Sequence, residues 1–475
     1  MAIDYDLVVL GGGTGGYVTA IRASQQGFKT AIVEAEKLGG TCLHKGCIPT
    51  KSFLKSAEVF QEIRHANEFG VMVGEPTLDL NQVLNRKDQV VRTLYQGVKH
   101  LVNQGKIDVY HGYGSILGSS IFSPMAGSVS VTYDGEQEND ILIPKQLVIA
   151  TGSSAKTIPG MEPDGKKILT SDHALELDEL PQSILIVGGG AIGVEWASFY
   201  QDVGVNVTLI EQNDQLLPGV DSDIAVEMKK RLKNKGVNIY TDSTVLPETL
   251  QIQDQCMIEV NTGNENIVSL SSDVILLSVG RKANTMKIGL ENTDVQLDDQ
   301  GFIQVDQNMQ TKEGHIYAIG DVIGGKQLAH AATYEARVAM EHMSGQQPTY
   351  LSDMDIPTCI YSEPEVASIG VTESEAKAQG YSVDVTKTSL QAIGKAHVNG
   401  DAKGFAKMIV DKETNDVLGI HLIGKGVTEL IGQASMARYF DGSALELSEV
   451  IYPHPSLSEL LGEAALAAEG RNIHG

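Results

Sequence analysis

Residues 6–34 read DLVVLGGGTGGYVTAIRASQQGFKTAIVE, and their order decides the fold. A short apolar run, Asp6 to Leu10, has the composition of a buried strand. The glycine turn GGGTGG follows, then a small-residue helix through YVTAIRASQQG, with Gly27 where a helix should stop. KTAIVE is the next strand and ends on Glu34. The same grammar returns at 183–211, SILIVGGGAIGVEWASFYQDVGVNVTLIE, again ending in an acid, Glu211. The first glycines, Gly11 and Gly188, lie 177 residues apart, and each acid follows its middle glycine by 21 residues.

Each part of this pattern has a physical reason. Gly11 and Gly188 make the tight turn. Gly13 and Gly190 let the backbone approach a pyrophosphate, and Gly16 and Gly193 let helix and strand pack closely. The helix N-terminus supplies N–H groups without intrahelical partners and positive partial charge. A lone Gly-x-Gly-x-x-Gly is common in α/β proteins, but two complete sets, each followed by an acid at the same offset, predict two dinucleotide sites. Glu34 and Glu211 would accept hydrogen bonds from ribose hydroxyls. Glu211 would repel a 2′-phosphate, and Gln212, Asn213 and Asp214 after it offer no cation, so the second nucleotide is predicted to be NAD.

QLVIATGS (146–153), VILLSVGR (274–281) and GHIYAIGDV (314–322) are further strands running into glycine turns. From about residue 351 the texture changes. VASIGVT, FAKMIVD and VLGIHLIG alternate like an antiparallel sheet. The expected organisation is α/β. Two Rossmann-like dinucleotide-binding domains precede a C-terminal α+β dimerisation domain. The expected segments are 1–150 and 276–350 for the first nucleotide domain, 151–275 for the second, and 351–475 for the last.

Composition narrows the function. The 475 residues carry a formal net charge of −25, which disfavours nucleic acid as a partner. No apolar run is long enough to span a bilayer, and the N-terminus lacks a signal-peptide pattern, so a cytoplasmic, reducing setting is expected. The four cysteines, at 42, 47, 256 and 359, are too few for a disulfide scaffold. Cys42 and Cys47 lie in GGTCLHKGCIPTK (39–51), just after the first nucleotide unit. Zinc would require a second ligand pair, and none appears, so no metal is expected. A pair on a turn or early helix could close a small disulfide ring, open to electrons from a flavin alongside. Thiol exchange needs a base. YPHPSLSEL (452–460) offers His454 between two prolines, with Glu459 five residues on to orient the ring.

GGGTGG, GGTCLHKGCIPTK, VIATGS, GGGAIGVE, YAIGDV and HPSLSE together resemble the dihydrolipoyl dehydrogenases, over essentially the whole length. These are the flavoproteins of 2-oxo acid dehydrogenase complexes, within the pyridine nucleotide-disulfide oxidoreductases. TCLHKGC and the ending EAALAAEGRNIHG are most similar to members serving branched-chain 2-oxo acid dehydrogenase in Gram-positive bacteria. The resemblance implies that FAD is held by Gly11, Gly13, Gly16 and Glu34, with Gly152 beside it and Asp321 on its ribityl chain. It implies Lys51 near the flavin N5, paired with Glu195. It implies NAD at Gly188, Gly190, Gly193 and Glu211, with Gly280 in the nicotinamide–flavin region.

By the same resemblance Cys42 is the interchange thiol and Cys47 faces the flavin. His454 and Glu459 reach the thiols from the other subunit of a homodimer, and a lipoyl-bearing acyltransferase is the partner. The sequence departs from the pattern at Ser456, commonly Thr, at Ala336, commonly Gly, and at Trp196 and Ala197. The alternatives are another FAD/NAD(P)H-dependent disulfide or metal-ion reductase of this fold, or chiefly an assembly subunit. The first is disfavoured by Glu211 and by the lack of any Cys beyond 359, the second by the intact Cys42, Cys47, His454 and Glu459 set.

Overall fold

The computed structural model describes residues 2–119, 126–135, 137–263 and 266–474. The chain forms two compact units, each assembled from separated segments. The first comprises 1–52, 81–156 and 280–350; the second comprises 53–80, 157–279 and 351–475.

In the first unit the strand Ala2–Leu10 lies between Thr30–Glu34 and Asp140–Ile149, parallel to both. Asp108–His111 and Ile316–Ala318 extend the parallel part, and Ser128–Thr132 and Tyr113–Leu117 add an antiparallel edge. Successive side chains of a strand face opposite sides. Leu7 and Val9 therefore join one core with Ala20, Ala23 and Ala336, while Val8 and Leu10 join another with Ile116, Val129 and Val131. Burial on both faces is why DLVVL is apolar without alternation. The helix spans Thr14–Gln25, beginning three residues before the expected Tyr17 because Gly13 caps it. It ends two residues before Gly27, whose φ of +85° lets the chain reverse.

In the second unit five parallel strands run in the order Asn238–Tyr240, Asn206–Ile210, Ser183–Val187, Val274–Leu277, Ile168–Thr170. An antiparallel meander, Ser243–Ile252, Cys256–Thr262 and Ile267–Ser272, interrupts the sequence between them. The helix Ala191–Asp202 is almost wholly buried, and Trp196, Phe199 and Tyr200 on it pack with Phe53 as one aromatic cluster. The Trp196 departure thus serves packing. The C-terminal sheet is antiparallel throughout, in the order Thr358–Ile360, Glu365–Gly370, Val417–Gly424, Phe405–Asp411, Val383–Ser389. Helices Val427–Tyr439 and Glu459–Ala468 share its core.

Candidate active site

The first fingerprint is built by close backbone contacts. Gly11 adopts φ +104°, and a Cβ there would fall 2.3 Å from the Ala150 carbonyl oxygen. A Cβ on Gly16 would fall 1.9 Å from the Gly11 oxygen, so the helix and the turn touch through bare backbone. Gly40 passes Gly13 so closely that a Cβ on it would lie 2.6 Å from the Gly13 Cα. Gly13 caps the helix without a side-chain bond, and the first turn holds no acid. Its amides are those a diphosphate would take. Glu34 folds back over the turn, accepting from the Gly12 N–H at 2.6 Å and the Glu36 N–H at 2.7 Å.

The second fingerprint repeats this bond for bond. Gly188 has φ +105°, with a would-be Cβ 2.4 Å from the Ser278 oxygen, and Gly193 would clash with Gly188 at 1.9 Å. Glu211 accepts from the Gly189 N–H at 2.6 Å and the Asn213 N–H at 2.8 Å. The loop after each acid returns to the turn by one bond: Gly39 N–H to the Gly12 oxygen and Leu217 N–H to the Gly189 oxygen, both 2.8 Å. Leu38 and Leu216 seat against Gly12 and Gly189 in the same way, at 2.7 Å from a would-be Cβ. The two differ in cover. Gly40 closes on Gly13, whereas a Cβ on Gly190 would meet no described atom within 4 Å.

That closing segment carries the thiols. Gly39 and Gly40 lead into the short helix Gly40–His44, and Cys47 opens the helix Cys47–Arg64. Cys42 and Cys47 are joined as a disulfide, their Cα atoms 4.6 Å apart. His44 Nε2 meets the Leu38 oxygen at 2.9 Å, and Lys45 pairs with Glu36 at 2.6 Å, tying the helix to the loop. Lys51 stands one helical turn beyond Cys47. Burial pushes the Cys256 thiol up, away from the thiolate form that exchange needs. No group of three or more His, Cys, Asp or Glu among the described residues could hold a metal ion.

The same unit places Asp321 in a polar group that the sequence did not announce. Its carboxylate accepts from the Ser153 hydroxyl, and Arg281 Nε lies 3.6 Å away. Arg281 also donates to the Ser153 hydroxyl at 2.6 Å and to its carbonyl at 2.7 Å. Gly152 (φ +70°) and Gly280 (φ +103°) flank the paired strands Ser153–Ala155 and Arg281–Ala283.

The remaining residues of the predicted site lie in the second unit. Glu195 is buried within its helix and accepts from the Tyr361 N–H at 3.0 Å. His454 is exposed, with Nδ1 2.8 Å from Glu459 Oε1, while Glu459 Oε2 accepts from the Ser456 N–H at 2.9 Å. The Ser456 bond, more than the imidazole, holds the Glu459 carboxyl below the usual carboxylate range. A fixed, ionised carboxylate leaves Nε2 of the ring as the position that takes up a proton.

Residues 5–336 match the family model described as pyridine nucleotide-disulphide oxidoreductase, and 356–465 match the dimerisation domain of that family. The chain is 54% identical to a dihydrolipoyl dehydrogenase of Bacillus subtilis over the full length of both. It is 39% identical to the dihydrolipoyl dehydrogenase of Zymomonas mobilis, again over all of both chains. Among solved structures it resembles LpdA of Mycobacterium tuberculosis, with TM-score 0.88 and 25% identity over 98% of this chain and 99% of that one. It also resembles the HOCl-induced flavoprotein disulfide reductase RclA of Escherichia coli in its Cu(II) complex, with TM-score 0.85 and 27% identity over 98% and 99%.

Proposed function

The chain belongs to the pyridine nucleotide-disulphide oxidoreductase family, and we propose that it oxidises protein-bound dihydrolipoyl groups to lipoyl and reduces NAD+ to NADH. The observation that carries this reading is the Cys42–Cys47 disulfide, closed on the segment that covers the first fingerprint. The full-length identity to dihydrolipoyl dehydrogenases supports it.

The first fingerprint suits FAD and the second NAD, since both offer uncapped helix amides, bare glycine backbone and a terminal carboxylate. FAD held at the first fingerprint would supply the redox chemistry that links the dithiol to NAD+ at the second. The protein's own groups manage the sulfur chemistry and the protons. In the homodimer His454 of one subunit accepts a proton from a dihydrolipoyl thiol at the disulfide of the other, and Glu459 stabilises the imidazolium. The thiolate attacks Cys42, forming a mixed disulfide and expelling Cys47 as thiolate. The second lipoyl thiol attacks the lipoyl sulfur of that mixed disulfide, its proton passing to the departing Cys42 sulfur. Lipoyl leaves oxidised, Cys42 is released, and the protein disulfide has gained two electrons. Lys51, Glu195 and Asp321 we assign to the flavin, with Gly152 and Gly280 allowing close approach of backbone there.

The partner is the lipoyl-bearing acyltransferase of a 2-oxo acid dehydrogenase complex; TCLHKGC and EAALAAEGRNIHG favour the branched-chain complex. No helix among the described residues is long and apolar enough to cross a membrane. We place the protein in the cytoplasm, where a close cysteine pair is more often catalytic than structural.

The test is a visible spectrum of the purified protein before and after anaerobic dihydrolipoamide, then NAD+. The expected protein is yellow and gains a long-wavelength band that NAD+ clears. A yellow protein indifferent to dihydrolipoamide would overturn the substrate assignment and leave the family intact.

A further inference from the structure

The two fingerprints differ again just after the acid. The residue two after the acid is Glu36 in the first and Asn213 in the second. Both donate their backbone N–H to that acid, at 2.7 and 2.8 Å. The side chains then diverge. Glu36 turns away to Lys45, 2.6 Å distant. Asn213 turns back, and its Nδ2 donates to Oε1 of Glu211 at 2.6 Å. One residue thus holds Oε1 by two donors, while Gly189 holds Oε2 at 2.6 Å. Asn213 is itself anchored, since its carbonyl accepts from the Asp242 N–H at 2.9 Å.

Hydrogen bonds to an ionised carboxylate are short and directional, and together they fix its rotamer. A vicinal ribose diol needs both carboxylate oxygens presented at one angle. Glu34 achieves its angle with backbone donors alone. Glu211 is buried, and it gains a further donor from the side chain of the exposed Asn213. We propose that Asn213 is a positioning and specificity-determining residue of the NAD site. Its amide holds Glu211 toward the ribose hydroxyls, and it brings no positive charge to meet a 2′-phosphate. The inference rests on the reading of the second fingerprint as the NAD site.

Calorimetric titration of the FAD-loaded dimer with NAD+ and with NADP+ tests it, alongside the visible spectrum and steady-state kinetics. In Asn213→Ala the dissociation constant for NAD+ should rise about tenfold or more, as for loss of one hydrogen bond to a charged group. Binding of NADP+ should change by no more than about twofold, because the repulsion from Glu211 remains. The spectrum and kcat at saturating NAD+ should be unchanged, and Asn213→Ser, which keeps a donor, should recover part of the loss. Unaltered NAD+ affinity in Asn213→Ala would overturn the inference. So would equal weakening of both nucleotides with Asn213→Ser no better than Asn213→Ala, since that is a merely structural role. If the unsubstituted protein binds neither nucleotide, the reading of the site has failed and the inference with it. Tight NAD+ binding retained by Asn213→Ala sinks the inference alone.

Discussion

Lys407 Nζ stands 2.9 and 3.0 Å from the two carboxylate oxygens of Asp221, and both side chains are buried, at 0% and 1% exposure. Asp223 and Glu373 approach the same ammonium at 2.6 and 2.7 Å. Asp221 is also the cap of the helix Ser222–Lys235, accepting from the Asp223 N–H at 3.0 Å. His421, opposite Lys407 on the neighbouring strand, is held below its ordinary value by burial and adds no charge. One lysine therefore balances a carboxylate that water cannot reach. Removing one partner of a buried pair is costly because the other charge is stranded. Lys407→Met should lower unfolding free energy by about 3–5 kcal/mol, read from denaturant midpoints. A loss under about 1 kcal/mol would place the cluster with ordinary surface pairs.

The same cluster sets a pH dependence. Hydrogen bonds from Lys377 and then Lys407 hold Glu373 below its ordinary 4.5. Burial raises Asp223, but Lys387 and Lys407 outweigh it and hold it below 3.8. A carboxylate depressed in the folded state stabilises above its unfolded value, and that stability is lost as pH falls through the folded value. Lys407 is raised from 10.5 despite burial, so its share is present below that value and fades only at higher pH. Unfolding free energy should therefore fall as acid is added below about pH 4.5, and Lys407→Met should flatten that limb. An unchanged acid limb in Lys407→Met would assign the dependence to other groups.

For the thiols, Cys42→Ser should keep FAD and the fold while dihydrolipoamide turnover falls by about 10³-fold or more, as for loss of a covalent nucleophile. Bound flavin is counted by absorbance, turnover by NADH formation. A Cys42→Ser enzyme that turns over normally would refute the disulfide relay.

Glu459→Gln keeps a group able to bond His454 Nδ1 but removes the charge. His454→Gln should lower kcat by about 10²–10⁴-fold, the usual worth of a positioned base. Glu459→Gln should cost less. Because the Ser456 N–H and then His454 hold Glu459 below the carboxylate range, it is ionised at every working pH. The Glu459→Gln deficit should thus persist from about pH 6 to about pH 9, since the charge it removes is present throughout. A deficit that vanished at the acid end would mean that Glu459 itself titrates there.

What the sequence made legible was local or periodic. The strand-turn-helix-strand units, their common 21-residue offset and the antiparallel C-terminal sheet all rest on spacing within about 30 residues. What it hid depends on distant partners. Ser153 meets Arg281 across 128 residues and Asp321 across 168. Lys407 meets Asp221 across 186 residues, and in FAKMIVD it reads as the solvent-facing position of an alternating strand. Nothing in a strand's own period says that a helix cap will cover its polar side. Asn213 was read only for the cation it lacks, since a side chain turning back on its neighbour leaves no mark in spacing.

The glycines give a last prediction, because two of them in one turn serve opposite ends. A Cβ on Gly193 would stand 1.9 Å from the carbonyl oxygen of Gly188, which opens the turn, where neither backbone can yield cheaply. Gly193→Ala should therefore lower the thermal midpoint, and lose NAD+ binding only as a consequence. Gly190 adopts φ −73° and a Cβ there meets no described atom within 4 Å. Gly190→Ala should fold with an unchanged midpoint, because alanine is at ease in that conformation. It should still raise the KM for NAD+ by about tenfold or more, since the methyl occupies the approach a pyrophosphate needs. FAD content should not change, the first fingerprint being untouched. If Gly190→Ala bound NAD+ normally, the pyrophosphate would have to lie elsewhere, and the glycine would be left without a reason in the ligand.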